Sequence, residues 1–244
     1  MLLGEGVVWK FSDVGRVIMK NDEAMRSLNV RLFKQPQDYS SCWQAMKSFT
    51  EARQKDSIDE VWLLEHEPVF TLGIRERAED CIDTGDIPVV KTDRGGLITY
   101  HGPGQLLIYL MLDLRRLGAG LRFLVKQLEQ ASIDMLGEYG IQAERKANAP
   151  GVYVDGRKIA SLGLRVQRGC TYHGLSLNVD MDLSPFDRIV PCGLAGMKMT
   201  DMKSLGATAK CDEIGRRFVQ LLAEMLRYNE IYDDLDESSR YDSE

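Results

Sequence analysis

The chain lacks any long apolar run. Its longest, Leu106 to Leu112, stops at Asp113 and falls far short of the about 20 residues a membrane helix needs, so no membrane partner is expected. The start, Met1-Leu2-Leu3-Gly4-Glu5-Gly6, carries an early acid and no continuous apolar core of the kind a signal peptide has, which leads to the expectation of a cytoplasmic location. Cysteine is scarce. The five present (Cys42, Cys81, Cys170, Cys192, Cys211) are an odd number without C-x-x-C spacing, which argues against a disulfide framework or a zinc site and for reduced thiols. Of the three histidines, His66, His101 and His173, none shares the short spacing of a zinc-binding helix, so no metal is expected. All three sit beside turn-forming sequence and are expected to shape a pocket through hydrogen bonds. Most of the chain also lacks a charge excess: Glu230 to Glu244 holds seven acids against Arg240 and accounts for the whole formal charge of -6. A neutral body leaves no electrostatic footprint for nucleic acid, while a local basic patch for an acidic protein stays compatible with it. No proline-, serine- or glycine-rich linker and no internal repeat divides the 244 residues, which suffice for one large core.

What is present is glycine, concentrated where it carries information. Arg94-Gly95-Gly96-Leu97-Ile98-Thr99-Tyr100-His101-Gly102-Pro103-Gly104-Gln105 cannot be a helix, and reads as a shaped loop between strands with backbone N–H groups available to a ligand. Trp43, Met46 and Phe49 lie at helical spacing over about Ser40 to Arg53, with Ser40 or Ser41 able to cap the first turn. Val61 to Leu64 reads as a buried strand, Val89-Val90 and Leu97 to Thr99 as short ones, and Leu106 to Leu112 as a longer one. Leu121, Leu124, Val125, Leu128, Met135, Leu136 and Tyr139 mark a helix of about five turns. Gly151 to Val154 and Lys158 to Val166 flank Asp155-Gly156, a tight hairpin turn. Thr171 to Val179 is a further strand, and Ile214, Phe218, Leu221, Leu222 and Met225 mark an amphipathic helix behind Asp212. The pattern predicts an α+β domain with a mixed or antiparallel sheet packed with helices.

Cys192 sits in Val190-Pro191-Cys192-Gly193-Leu194-Ala195-Gly196, where proline ends a strand and the glycines expose the thiol beside free N–H groups. Cys42, on a helix beside Trp43, is expected to be buried and inert.

Arg94-Gly95-Gly96-x-x-Thr99-Tyr100-His101-Gly102-Pro103-Gly104-Gln105, Pro150 to Val154, Lys158-Ile159-Ala160-Ser161-Leu162-Gly163, His173-Gly174-Leu175-Ser176-Leu177-Asn178 and Pro191-Cys192-Gly193 together resemble the lipoyl(octanoyl) transferases, as does Glu65 to Gly73. Leu97 departs from the family, which often has a polar residue there. The resemblance covers Val30 to Leu226. It implies a catalytic domain over 30–228 similar to that of biotin and lipoate protein ligases and leaves 1–29 as an N-terminal extension, while acidic composition leads to the expectation of a disordered tail over 229–244. It further implies transfer of an octanoyl group from octanoyl-acyl carrier protein to a lysine of lipoyl domains, in 2-oxoacid dehydrogenase complexes and the glycine-cleavage H protein. The expected agent is a monomer that uses no cofactor and no ATP. Carried over, Cys192 is the acyl-thioester nucleophile and Lys158 lowers its pKa. The acyl-substrate-binding residues are Arg94, Gly95, Gly96, Leu97, Ile98, Thr99, Tyr100 and His101, then Ser161, Leu162 and Gly163, then Gly174, Leu175 and Ser176. Three competing readings are an ATP-dependent lipoate ligase, a non-catalytic binder of acyl carrier or lipoyl domains, and a cysteine hydrolase with His101 or His173 as base.

Overall fold

Seven apolar residues in a row suit a strand covered on both faces, and the computed structural model, which describes residues 7–10, 26–75, 83–189 and 197–235, buries them that way. The strands in chain order are β1 (Val7–Lys10), β2 (Ser27–Leu32), β3 (Asp59–Leu64), β4 (Val69–Leu72), β5 (Val89–Lys91), β6 (Ile98–His101), β7 (Gln105–Met111), β8 (Glu144–Lys146), β9 (Ala149–Val154), β10 (Arg157–Gln167), β11 (Cys170–Asn178) and β12 (Glu230–Leu235). The helices are α1 (Tyr39–Ala52), α2 (Leu114–Leu117), α3 (Leu121–Glu138) and α4 (Cys211–Leu226). Among the described residues a nine-stranded sheet runs β1-β12-β2-β3-β7-β11-β10-β9-β8, and β5-β4-β6 form a smaller one. The large sheet is mixed: β12, β2 and β3 are mutually parallel and the other pairings are antiparallel. This is the α+β architecture expected from the sequence.

Alternation along the central strands divides the core. Val61 and Leu63 of β3 and Leu106, Ile108 and Leu110 of β7 face α3 and α4, where Leu124, Leu128 and Met135 meet Ile214, Phe218 and Leu222. Trp62, Leu64, Leu107, Tyr109 and Met111 face the other way, onto Cys42 and Met46 of α1. The β9–β10 hairpin turns at Asp155 (φ 48°) and Gly156 (φ 79°), the two positive φ angles of a type I′ turn, as Asp-Gly predicts.

Several local expectations need correction. The cap of α1 is Asp38, whose Oδ1 accepts from the Ser41 amide (2.8 Å) and hydroxyl (2.7 Å), so Ser41 is the donor and neither serine is the cap. Asp212 lies inside the first turn of α4, where its charge suits the helix dipole, and Lys210 occupies the cap without a side-chain bond. Leu121 is exposed, not part of the buried stripe of α3.

The domain limits also differ from expectation. Residue 30 falls within β2, and residues 7–10 add the sheet's outer strand, so the segment over 1–29 contributes strands to the fold. Residues 230–235 of the expected disordered tail form β12, inserted between β1 and β2. Composition misleads there because Ile231 is buried and Asp233 forms an ion pair with Arg216 of α4, which offsets part of the cost of placing that acid against the fold. Residues 236–244 lie outside the described residues.

Candidate active site

A slot opens on the α1 side of the large sheet, between the 94–97 loop and the middle of β10 and β11. Its walls are Arg94, Gly96, Leu97, Ile98, Thr99 and His101 from the loop and β6, Ser161 to Gly163 from β10, and Gly174 to Ser176 from β11. The register explains the meeting: Ser161 pairs with Ser176, Leu162 with Leu175 and Gly163 with Gly174. A Cβ on Gly163 would stand 3.0 Å from the Gly95 carbonyl oxygen, so glycine is what lets the loop lie on the sheet. Two of the residues assigned from sequence do not line the slot. Gly95 is a seam, its amide donating to the Leu164 carbonyl at 3.2 Å. Tyr100 packs under the small sheet against Phe70 and Phe186 (ring centroids 5.4 and 5.6 Å).

Arg94 is buried, and its guanidinium reaches back to β4, donating to the Thr71 carbonyl (2.5 Å), the Thr71 hydroxyl (2.8 and 3.0 Å) and the Gly95 carbonyl (3.0 Å). From Thr71 a polar chain continues through the molecule. The hydroxyl reaches His101 Nε2 (3.4 Å), His101 Nδ1 meets Gln105 Oε1 (2.6 Å), Gln105 Nε2 donates to Asn178 Oδ1 (2.9 Å), and Asn178 Nδ2 donates to the Thr200 carbonyl (3.0 Å). The Thr200 amide in turn donates to the Lys158 carbonyl at 3.0 Å. The last residues of two motifs read from sequence, Gln105 and Asn178, thus couple the slot to the backbone that carries Lys158.

Lys158 is 2% exposed, an uncommon place for an ammonium. Its Nζ donates to the Pro150 carbonyl (3.2 Å) and lies 5.3 Å from the Tyr153 ring centre, a cation–π arrangement. Its amide donates to the Lys198 carbonyl at 2.8 Å, which binds 197–200 alongside β10. Room for the side chain comes from Gly151 (φ 141°), where a Cβ would sit 2.9 Å from Lys158 Cε and 2.8 Å from the Ala160 carbonyl oxygen. Gly151→Ala is therefore expected to lower turnover at least about tenfold by displacing the lysine, and to cost about 1–3 kcal/mol in backbone strain. Turnover and the urea midpoint, measured on one preparation, check both.

Cys192 lies outside the described residues, as does Cys81. The three described thiols are all held neutral: burial pushes Cys42 up to about 12, raises Cys170, and with Glu65 raises Cys211. Cys42 is buried against the sheet, the inert placement its helix position predicts.

The three histidines converge, which their spacing could not reveal. His66 donates from Nδ1 to the Gln37 carbonyl (2.8 Å), so its Nε2 accepts from the Tyr109 hydroxyl (2.6 Å). The rings of Tyr39, His66, His101, Tyr109 and His173 form one contiguous cluster, with centroids 4.9–6.2 Å apart. Tyr39 and Tyr109 join the slot wall although neither is assigned to it from sequence, and His173, expected only to shape a pocket, lines it as well. A signal existed for Tyr109: a phenol inside a doubly buried strand needs a polar partner. Asp93, beside Arg94, is a second omission. It accepts from Trp43 Nε1 (2.9 Å), His173 Nε2 (3.0 Å) and the Tyr172 hydroxyl, tying α1 and β11 to the loop. Burial alone would raise its carboxyl, but those bonds hold it well below the usual carboxylate range.

Burial also lowers all three imidazole pKa values, His66 to about 4. The folded state keeps these rings neutral while the unfolded chain protonates near 6.5, so their contribution is intact above pH 6.5 and is lost as pH falls toward 4. For His66 alone the loss is on the order of 3 kcal/mol. Thermal midpoints measured from pH 7.5 to 4.5 are expected to fall through that window, and replacing His66 with glutamine is expected to flatten the fall.

Residues 38–223 match the lipoyl protein ligase A/B catalytic domain family. The octanoyltransferase of Shewanella amazonensis is 53% identical over 195 residues, 80% of this chain and 90% of that protein. A bi-partite lipoate protein ligase from Thermoplasma acidophilum has a TM-score of 0.69 at 15% identity, over 89% of this chain and 88% of its own. Lipoate-protein ligase A bound with ATP gives 0.69 at 14% identity, over 88% and 90%. At such identities the two structures speak to the fold alone, whereas the family match over residues 38–223 spans the slot, Lys158 and Cys192 together. By that match the chain belongs to the octanoyltransferases of the lipoyl protein ligase A/B catalytic domain family.

Proposed function

We propose that this octanoyltransferase takes its acyl group from an octanoyl-acyl carrier protein thioester, holds it on Cys192, and delivers it to the target lysine of lipoyl domains. The observation that carries this reading is a buried lysine, Lys158, near the start of the strand that goes on through Ser161 to Gly163 to wall a narrow slot. In the first step the Cys192 thiolate attacks the carrier thioester, the bond to the carrier sulfur breaks, and Lys158 gives its proton to the departing thiolate. In the second the substrate amine attacks the Cys192 thioester and neutral Lys158 takes the amine's proton. The C–S bond breaks, an amide forms, and the thiolate–ammonium pair returns. Thioester exchange is nearly balanced and amide formation runs downhill, so the reaction needs no ATP. The slot favours an acyl tail: burying about seven methylene-sized groups contributes on the order of 5 kcal/mol.

The acceptors are the lipoyl domains of 2-oxoacid dehydrogenase complexes and the glycine-cleavage H protein, met in the cytoplasm by a monomeric enzyme. In support, the Thermoplasma ligase of the same fold is described together with its E2 lipoyl domain, and no helix among the described residues is long and apolar enough to cross a membrane. The test is intact-mass measurement after mixing the protein with octanoyl carrier protein and no nucleotide. A hydroxylamine-labile octanoyl adduct on Cys192, discharged by added lipoyl domain, is expected. Amide formed only when ATP is added would support a ligase instead, and free octanoate as main product a hydrolase.

A further inference from the structure

His173 is the one slot-lining imidazole with an unused nitrogen. Its Nε2 is committed to the Asp93 carboxylate at 3.0 Å, while Nδ1 is buried without a hydrogen-bond partner. Asp93 is an ionised acceptor, so the ring carries its proton on Nε2 and offers Nδ1 as a bare lone pair. Also in the slot wall, the buried Tyr39 hydroxyl makes no well-formed hydrogen bond, although Thr92 is close. His173 is also strained: a φ of 58° in the middle of β11 turns its ring against that of Tyr172 (centroids 5.0 Å). A wall that serves only a hydrocarbon tail needs neither the strain nor an orphaned acceptor.

Position along the strands gives the lone pair a meaning. Ser161 and Ser176 face each other nearest Lys158, Gly163 and Gly174 follow, and His173 lies opposite Leu164. At about 3.3 Å per residue, Leu164 is about 10 Å beyond Ser161, comparable to an extended eight-carbon chain. We propose that the end of the slot farthest from Lys158 is a hydrogen-bonding subsite at His173 Nδ1 that takes an O–H donor: a water retained beneath an octanoyl tail, or a terminal hydroxyl carried by the acyl chain itself. This rests on the octanoyl reading of the slot and names what sets its length. A plain chain that reaches the subsite strips Nδ1 of its donor, whereas a chain with a terminal hydroxyl restores it.

The test compares plain and terminally hydroxylated acyl groups of eight to twelve carbons, as carrier thioesters for turnover and as free acids for calorimetric affinity. In the wild-type protein the hydroxylated chain is expected to exceed its plain counterpart on the order of tenfold at the length that reaches the subsite. His173→Leu is expected to abolish that advantage and to raise decanoyl relative to octanoyl transfer, the mark of a lost water. His173→Gln, which keeps a donor for Asp93 and an acceptor for the ligand, is expected to retain most of the advantage. Hydroxylated chains no better than plain ones at every length, or an advantage that survives in His173→Leu, would overturn the subsite. Because affinity for free acids needs no chemistry, a protein that binds them with this pattern yet leaves the carrier thioester untouched would refute the transfer reading and uphold the subsite. A protein that binds no acyl chain would refute both.

Discussion

Cys192→Ala is expected to remove the covalent octanoyl adduct and the amide product together, lowering turnover at least about a thousandfold. The size follows from the absence of a substitute among the described residues. Cys42 lies on the buried face of α1 with its thiol pushed to about 12, and Cys170 and Cys211 are raised as well, so none can supply a thiolate at neutral pH. Direct attack by the substrate amine on the carrier thioester would bypass the thiol but would lose the positioning that the slot gives the acyl group. Mass spectrometry of the protein and of the lipoyl domain reads both outcomes in one mixture. Turnover retained without an adduct would remove the covalent route.

Lys158→Met is the second change with a large expected effect. An ordinary thiol with a pKa near 8.5 is only a few per cent thiolate at pH 7. An ammonium about 4 Å away, at an effective dielectric near 20, attracts the thiolate by on the order of 4 kcal/mol before desolvation is subtracted. A third of that lowers the thiol pKa by about one unit. Methionine preserves the packing over Tyr153 and against Gly151 while removing the charge and the transferable proton, so the fold should survive. The expected result is a shift of the Cys192 alkylation profile to higher pH by at least about one unit and a fall in turnover of 100-fold or more, since general acid–base help is lost in both steps. An alkylation profile that does not move would mean the lysine is not the thiol's partner.

The coupling of Lys158 to the slot shows what linear motifs conceal. His101-Gly102-Pro103-Gly104-Gln105 and His173 to Asn178 are legible as motifs because glycines and polar residues interrupt apolar runs. That Gln105 bonds Asn178 follows only from the antiparallel pairing of β7 with β11, which sets the two opposite each other, and that Asn178 bonds the Thr200 carbonyl follows only from the binding of 197–200 alongside β10. Asp93 was passed over for the same reason: an acid in a turn looks solvated until Trp43, Tyr172 and His173 arrive from α1 and β11.

By itself the sequence determined the elements whose causes are local: the doubly buried run at 106–112, the Asp155-Gly156 turn, the amphipathic periods of α3 and α4, and the glycine spacing that leaves room for a slot. Tertiary structure alone decided which polar groups share a partner. It gathered three dispersed imidazoles into one cluster, made Asp38 the cap of α1, and drew the acidic residues 230–235 into the sheet beside Arg216. Periodicity reports which face of an element is apolar, whereas the free energy of a buried charge or imidazole depends on atoms that chain folding brings from elsewhere.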